Sequence, residues 1–405
     1  MNKLKKGWIF VFSFGVYLAA QGQPNGTINH STTQTQTQGQ GILLGQNPDN
    51  KNITTAVPFL IITPDTRAAG MGDAGVATSP DAASAYWNAG KLAFIDKGYG
   101  GSLSYTPWLG KIINDMKIVH LTGFYKIKRE EAVAASLKYF DLGKIELRDV
   151  SNNSLGRFNA REAAFDVTYS RLLTDNFSAG VSVRYIYSNL TGGVNIGGGT
   201  LSTTDATAAH SAAVDFGVYY TKPLKSKNAT ISWGASISNI GAKVSYSNSG
   251  NSDFIPTNLR LGGAYKMDLD PINSLTFVLD FNKLMVPTTA LGSRNKPLLN
   301  GIFGSFSDAS GGWQEELSEI TISGGIEYWY NQTFSGRLGY FYEDQTKGNR
   351  KHLTAGVGFR FQKFGVDAAY LVPTNQRESP LAETLRFTIQ YLIAKKAIVE
   401  ESVTD

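Results

Sequence analysis

The 405-residue sequence contains no cysteine and only four histidines. The absence of cysteine excludes disulfide bonds, a thiolate nucleophile and any thiolate metal site. The histidines lack the His-x-x-x-His spacing of zinc hydrolases, and the chain lacks the Gly-x-Ser-x-Gly elbow of serine hydrolases. His120 falls within a predicted strand, where a structural role is favoured over a catalytic one. We therefore expect neither a metal nor a cofactor, and we expect the protein not to be an enzyme.

The sequence also has few charges and no long apolar run. Charged residues make up 18% of the chain, the net charge is +5, and no dense basic block occurs beyond the N-terminus. We therefore expect no nucleic-acid partner. No stretch after the N-terminal region approaches the roughly 20 apolar residues of a membrane-spanning helix. If the mature chain lies in a membrane, it must cross that membrane with strands.

The N-terminal region has the pattern of an export signal. A lysine-rich start precedes the apolar run Trp8 to Leu18 and a small-x-small site at Ala20 to Gly22. These features predict a secretory signal peptide over residues 1–22. Residues 23–55 are expected to form a flexible polar segment, because they are rich in Thr, Gln and Gly and have little to bury.

From about Gly98 onward, apolar and polar residues alternate in segments of about ten residues. In the segment 177–189, Phe, Ala, Val and Tyr occupy one face, while Ser, Gly and Arg occupy most of the other. Such alternation, with aromatic residues near the ends of the segments, is typical of an outer-membrane barrel. A soluble sandwich also alternates, but the signal peptide and the small polar second face favour a barrel.

The segments predict an all-β fold, a closed antiparallel transmembrane β-barrel of about 14 strands in the outer membrane. The barrel is expected over residues 98–394, with a periplasmic tail over 395–405. The predicted strands are 98–106, 116–127, 131–141, 163–171, 177–189, 211–220, 229–240, 257–267, 274–282, 319–330, 333–343, 352–362, 364–372 and 384–392. Short connections then face the periplasm, and long ones at 142–162, 190–210, 241–256 and 283–318 face the exterior.

Cross-strand chemistry predicts one register and a charged lumen. Pairing Tyr330 with Phe334 keeps aromatic residues together outside and sets Glu327 opposite Arg337 inside. The inward charges either line a solute path or brace a narrow lumen, and bracing is favoured. These charges are Glu162, Asp166, Arg184, Asp215, Arg260, Asp280, Glu327, Arg337, Arg360 and Arg386.

Residues 56–97 do not alternate, and we expect them to form a hatch that plugs the lumen. A short helix is predicted over Pro80 to Leu92, with Ser79 as its N-cap. The stretch Gly70 to Gly75 has the G-x-G-x-x-G spacing of dinucleotide sites. Such a site needs a β-α-β unit and a cytosolic cofactor, whereas this chain is expected to be exported. Glycines that permit close packing inside the barrel are the better explanation.

The hatch sequence carries a family resemblance. Arg67 to Ala77, followed by Asp81 to Asn88, resembles the N-terminal hatch of FadL-like outer-membrane proteins. With the preceding Phe59 to Thr66, it is more similar to the PorV family of the Bacteroidetes type IX secretion system. The resemblance extends over about 56–392, although its specific motifs lie within 58–95. The hatch residues identified in this way are Arg67, Gly70, Met71, Gly72, Asp73, Gly75, Trp87 and Asn88.

The resemblance implies a non-enzymatic role. PorV-like proteins collect secreted cargo, through its C-terminal signal domain, at the type IX translocon barrel and deliver it to a sortase-like attachment complex. The FadL-like features leave a second hypothesis open, the transport of hydrophobic small molecules through the hatch and a gap in the wall. A transporter needs a continuous apolar pocket from the loops to the hatch. A shuttle needs only a plugged barrel and an apolar outer rim.

The predicted external loop from Lys283 to Ser318 is unusually long and apolar. Apolar loop residues that are exposed need a partner, and a protein is favoured over the membrane lipid that surrounds the barrel. The candidate partner-binding residues are Leu284, Met285, Val286, Pro287 and Trp313, with Met285 and Trp313 as the expected anchors.

Overall fold

Fourteen strands dominate the computed structural model, which describes residues 52–108, 115–148, 154–190, 207–246, 252–288, 296–374 and 384–393. The predicted signal peptide and C-terminal tail lie outside these residues, as does nearly all of the polar segment 23–55. The strands are β1 Tyr99–Pro107, β2 Lys117–Lys126, β3 Glu131–Arg148, β4 Ser154–Leu172, β5 Phe177–Asn189, β6 Ala209–Leu224, β7 Ala229–Gly241, β8 Asn258–Asp268, β9 Asn273–Leu284, β10 Ile320–Tyr330, β11 Phe334–Tyr342, β12 Lys351–Phe361, β13 Phe364–Pro373 and β14 Thr384–Ile393.

Each strand pairs with its neighbours in sequence, and β1 pairs with β14 to close the sheet into a barrel. The closed antiparallel 14-stranded barrel predicted from the alternation is therefore confirmed. The predicted register is confirmed as well, because Tyr330 pairs with Phe334 and Glu327 pairs with Arg337. Closure leaves no edge strand, so each strand is paired with a neighbour on both sides.

The pattern of burial is the reverse of that in a soluble protein. Along β14, Leu385, Phe387 and Ile389 are exposed, whereas Arg386 and Thr388 between them are buried. Apolar side chains that point away from the protein require an apolar surrounding, and polar side chains that point inward require a polar lumen. No helix within the described ranges is long and apolar enough to span a bilayer. The chain is an outer-membrane barrel with its apolar band against lipid.

The connections differ in length between the two ends of the barrel. Six of them are short turns of two to four residues: 127–130, 173–176, 225–228, 269–272, 331–333 and 362–363. By the usual orientation of such barrels, these turns face the periplasm and the longer connections face the exterior. The longest external connection joins β9 to β10 over residues 285–319. We call it the rim loop.

One predicted loop is wrong. Residues 142–162 were expected to be irregular, but β3 continues to Arg148 and β4 begins at Ser154. The pairing shifts register after Asp141 and then resumes with Lys144 opposite Asn159. This hairpin extension carries many polar residues, so its sequence lacks the alternation of a lipid-facing strand. The pairing of backbone groups, not the apolar pattern, makes it a strand.

A charge on the lipid face should destabilise the barrel in proportion to its depth. We expect Leu338→Arg, at a site 64% exposed on β11, to cost about 2–4 kcal/mol if it lies near the bilayer midplane. The control Leu173→Arg, in the short turn after β4, should cost about 0–1 kcal/mol because it lies near the interface. The heat-modifiable gel mobility of each refolded variant measures its destabilisation. Equal destabilisation by the two variants would contradict the assignment of the lipid face.

Candidate functional site

Residues 52–98 lie inside the barrel and fold into four short helical segments. These are the 3-10 helix Pro58–Ile61, the α-helices Thr66–Ala69 and Ser84–Trp87, and the 3-10 helix Ala89–Phe94. The first α-helix is capped by Asp65, whose carboxylate accepts a hydrogen bond from the backbone N–H of Ala68 at 2.9 Å. We call residues 56–97 the hatch.

The helix predicted over Pro80 to Leu92 is wrong in its bounds and its cap. The α-helix covers only Ser84–Trp87, and its N-cap position is Ala83 rather than Ser79. It ends at Asn88, whose backbone is extended and whose side-chain oxygen accepts the N–H of Gly90 at 2.9 Å. An asparagine that hydrogen-bonds its local backbone competes with helix continuation, and the chain restarts as a 3-10 helix.

The hatch rests on a ring of glycines on the inner face of the wall, which we call the glycine belt. A methyl group at Gly339 would lie 2.1 Å from the backbone nitrogen of Gly72, and one at Gly217 would lie 2.2 Å from the side-chain oxygen of Asn88. Any side chain there would collide with the hatch. The belt comprises Gly180, Gly217, Gly234, Gly262, Gly325, Gly339 and Gly356, on seven strands.

Polar groups of the wall pair with the backbone of the hatch at its closest approach. The carboxylate of Asp280 accepts the N–H groups of Gly75 at 2.7 Å and Val76 at 2.9 Å. The hydroxyl of Thr354 accepts the N–H of Gly72 at 2.9 Å, and the amide of Asn88 donates to the carbonyl of Val218 at 2.8 Å. The G-x-G-x-x-G stretch is thus occupied by contacts with the wall, as expected for a packing role.

A chain of ion pairs joins the hatch to the wall. Arg67 binds Asp81 within the hatch at 2.9 Å and Glu327 on β10 at 2.7 Å. Glu327 also accepts from Arg337 on β11 at 2.8 Å. Arg337 in turn binds Asp367 on β13 at 2.7 Å, and Arg360 on β12 binds the same carboxylate at 2.8 Å. Each buried charge in this network has an opposite charge beside it.

The remaining predicted residues also lie in the packed interior. Arg184 pairs with Asp215 at 2.9 Å and with Asp166 on the inner face. Asp73 lies 3.5 Å from Arg386, and Met71 packs on belt glycines. Trp87 donates from its indole nitrogen to Asp65. The sequence had pointed to these hatch residues and lumen charges separately, and the structure brings them into one interior.

Several buried charges were missed by the sequence analysis, among them Asp367 and Lys91. Asp367 is 1% exposed and accepts hydrogen bonds from three residues of the wall. Its position between the outward Val366 and Ala368 could have identified it. Lys91 is fully buried in the hatch and donates to the carbonyl of Gly75 at 2.6 Å and the hydroxyl of Thr78 at 2.8 Å. No periodic pattern marks Lys91, because the hatch does not alternate.

Outside the lumen, the rim loop is held against the top of the wall. Lys283 continues the outward face of Phe277, Leu279 and Phe281 but is only 8% exposed, because the loop covers it. Its ammonium group lies 3.0 Å from the carboxylate of Glu316 and 2.5 Å from that of Glu319. The loop therefore folds over the outer edge of the barrel at the external end of β9.

A second lysine fixes the same loop from the other side. Lys347, in the connection after β11, binds Glu315 at 2.8 Å and Glu319 at 2.9 Å. Partial burial opposes its charge, but the hydrogen bonds to Glu315 and Glu319 prevail and raise the pKa of Lys347 above its usual value. The ammonium group of Lys347 therefore remains charged throughout the neutral range.

The structure corrects the predicted partner-binding residues. Met285 and Val286 are 3% and 2% exposed, Pro287 is buried, and Leu284 is half-buried as the last residue of β9. The N–H of Met285 donates to the carbonyl of Thr257 at 2.8 Å, which extends the pairing of β9 with its neighbour. The segment is therefore part of the buried core of the rim. Met285, Val286 and Pro287 therefore cannot form an exposed docking face.

Other apolar residues of the rim loop are exposed instead. The described part of the loop, 285–288 and 296–319, contains two short helices, Leu298–Gly304 and Trp313–Ser318. Trp313, as expected, is 72% exposed. Leu299 and Phe303 are four residues apart on the first helix, and Trp313 and Leu317 are four apart on the second, so each pair shares a helix face. The exposed apolar rim comprises Leu299, Phe303, Phe306, Trp313 and Leu317.

The glycine belt makes a testable prediction about the hatch. Gly339→Ala should loosen residues 64–95 because its methyl group overlaps the backbone of Met71 and Gly72. Overpacking of this kind costs about 1–3 kcal/mol. We expect faster hydrogen exchange and proteolysis within the hatch while the barrel stays heat-resistant. Gly336→Ala on the same strand is the matched control, since nothing lies within 4 Å of its added methyl group. Equal protection of the hatch in both variants would exclude the belt as its support.

Comparisons with known structures return outer-membrane channels. The toluene transporter TbuX of Ralstonia pickettii is 13% identical with a TM-score of 0.45, over 82% of this chain and 98% of that one. A FadL homologue of Pseudomonas aeruginosa is 12% identical with a TM-score of 0.44, over 82% and 98% respectively. A comparison with curated proteins found no match.

The family described as type IX secretion system protein PorV matches residues 45–291, more than half of the chain. The match includes the whole hatch, the belt glycines of β5 to β8 and the end of β9 where the rim loop begins. The chain belongs to the PorV family of type IX secretion system proteins.

Proposed function

We propose that this outer-membrane barrel binds secreted cargo proteins through their C-terminal signal domain and shuttles them from the type IX translocon barrel to the sortase-like attachment complex. Cargo binds at the exposed apolar rim. The single observation that carries this proposal is that five large apolar side chains project into solvent from a loop anchored by two lysines. Anchored apolar side chains are suited to recognition because little conformational entropy is lost when a partner covers them.

The anchoring supports protein recognition in a second way. Glu315, Glu316 and Glu319 are buried against Lys283 and Lys347, so the acidic side of the second helix is used internally. The opposite side, with Trp313 and Leu317, is left for a partner. Trp and Phe in such positions are the residue types that contribute most to protein interfaces.

The packing of the lumen favours the shuttle over a transporter of hydrophobic small molecules. Hatch atoms lie against glycines of seven strands, and the charges around the hatch are paired. A solute passing through would have to break these ion pairs and displace the hatch, at a cost of several buried hydrogen bonds. A cargo protein that binds at the rim requires neither change.

Removing two rim side chains tests the proposal. We expect Phe303→Ala combined with Trp313→Ala to leave the barrel folded but to weaken binding of a cargo C-terminal signal domain about thirtyfold. This corresponds to a loss of about 2 kcal/mol, the threshold for an interface hot spot. The measurement is the dissociation constant of purified barrel and signal domain in detergent.

Two controls sharpen this experiment. Leu173→Ala removes an apolar side chain that is 58% exposed at the periplasmic end, and it should leave the affinity unchanged. Arg360→Ala alters the lumen network and should also have little effect on cargo. If the rim variant binds cargo normally while the lumen variant changes the uptake of a hydrophobic solute, the transporter hypothesis replaces the shuttle.

A further inference from the structure

A groove of about 600 Å³ crosses the lipid-facing surface of β6 to β9. Two outward positions in it have almost no side chain: Ala235 on β7, and Gly263 on β8, against which the indole of Trp233 packs. Larger residues rise on both sides of this floor, namely Trp233, Leu261, Tyr265 and Phe277. Its volume falls within the roughly 300–1,000 Å³ of small-molecule sites. In a bilayer, such an apolar depression is filled by hydrocarbon.

The periplasmic end of the groove meets a basic surface. Lys222 pairs with Ile231, Ile231 pairs with Tyr265, and Tyr265 pairs with Phe277, so these four residues form one outward row. The last three line the groove. Because adjacent strands are about 5 Å apart, Lys222 stands immediately beside the lower end of the groove.

Two further lysines follow in the turn that joins β6 to β7. Lys225 and Lys227 are exposed, and the sequence from Lys222 to Asn228 contains no acidic residue. Beyond that turn, Asp268 is bound by Lys266 at 2.9 Å and Asp270 by Asn273 at 2.7 Å. These two acids are therefore engaged, and the three lysines form a basic cluster at the boundary between lipid and periplasm, where the adjoining turn 173–176 adds one exposed acid, Asp175.

We propose that the groove and this cluster together bind one anionic phospholipid of the periplasmic leaflet. An acyl chain lies over Ala235 and along the indole of Trp233, and the phosphate group lies among Lys222, Lys225 and Lys227. The groove and the lysine cluster recognise different parts of the lipid. The groove selects hydrocarbon without regard to the headgroup, whereas the lysines select negative charge at the depth where phosphate groups lie. Short turns place this end at the periplasmic side.

The headgroup half is tested with two lipids that share the same acyl chains, phosphatidylglycerol and phosphatidylcholine. Native mass spectrometry of the full-length barrel in detergent measures the bound fraction during titration. A lysine near anionic lipid contributes about fivefold in affinity, so three should give phosphatidylglycerol an advantage of about tenfold or more. Equal binding of the two lipids would overturn the proposal.

Lysine variants locate the phosphate group. The triple variant Lys222→Gln, Lys225→Gln and Lys227→Gln should abolish the preference for phosphatidylglycerol. The matched control is Lys128→Gln with Arg129→Gln, which removes two exposed charges from the short turn after β2 and should keep the preference. If the control loses the preference as fully as the triple variant, the attraction is a general property of the basic rim and the site is refuted.

Binding of the acyl chain in the groove needs a separate measurement. Ala235→Phe should fill the floor and lower the affinity for both lipids, provided that heat-modifiable mobility shows a folded barrel. Quenching by phosphatidylglycerol with brominated acyl chains gives an answer even if that variant fails to fold. Wild-type tryptophan fluorescence should be quenched, and Trp233→Phe, which keeps an aromatic wall, should lose that quenching. Identical quenching in the two proteins would place the chain elsewhere and overturn the proposal.

Discussion

Inside a bilayer no water can pair with a free backbone N–H or C=O group, and this constraint determines the architecture of the protein. Pairing of β1 with β14 removes the only two edges that an open sheet would leave. Once the sheet is closed, every residue must point either to lipid or to the lumen. The apolar band, the polar interior and the difference between the two ends of the barrel all follow from that division.

Closure creates an interior that has to be filled. Its charges, such as Glu327 and Arg337, would be costly without partners, and the hatch supplies Arg67 to complete them. The fit requires the backbone of the hatch to approach the wall closely, and the glycine belt allows this. Packing and electrostatics thus depend on each other, since removing the glycines would also separate the charges.

The barrel was predictable from the sequence because alternation is a local property that each strand shows independently. Tyr330 and Phe334 even gave a correct register, since both flank one short turn. The interior was predictable as a set of residues but not as a network, because Arg67 and Glu327 are 260 positions apart and no local pattern relates them. The prediction of the partner-binding residues in the rim loop was partly wrong for a similar reason. Met285 is as apolar as the exposed Phe303, and only the pairing with Thr257 determines that it is buried.

The ion pair between Arg67 and Glu327 also has a consequence for assembly. The hatch is synthesised before any strand, yet its partners Asp280, Glu327 and Thr388 lie on β9, β10 and β14, more than 200 positions later in the chain. Contacts so distant in sequence form late, after the entropy of closing the long intervening segments has been lost. Docking that engages Thr388 can therefore be completed only after β14 has been placed, so a fully docked hatch is a sign that the barrel around it is complete.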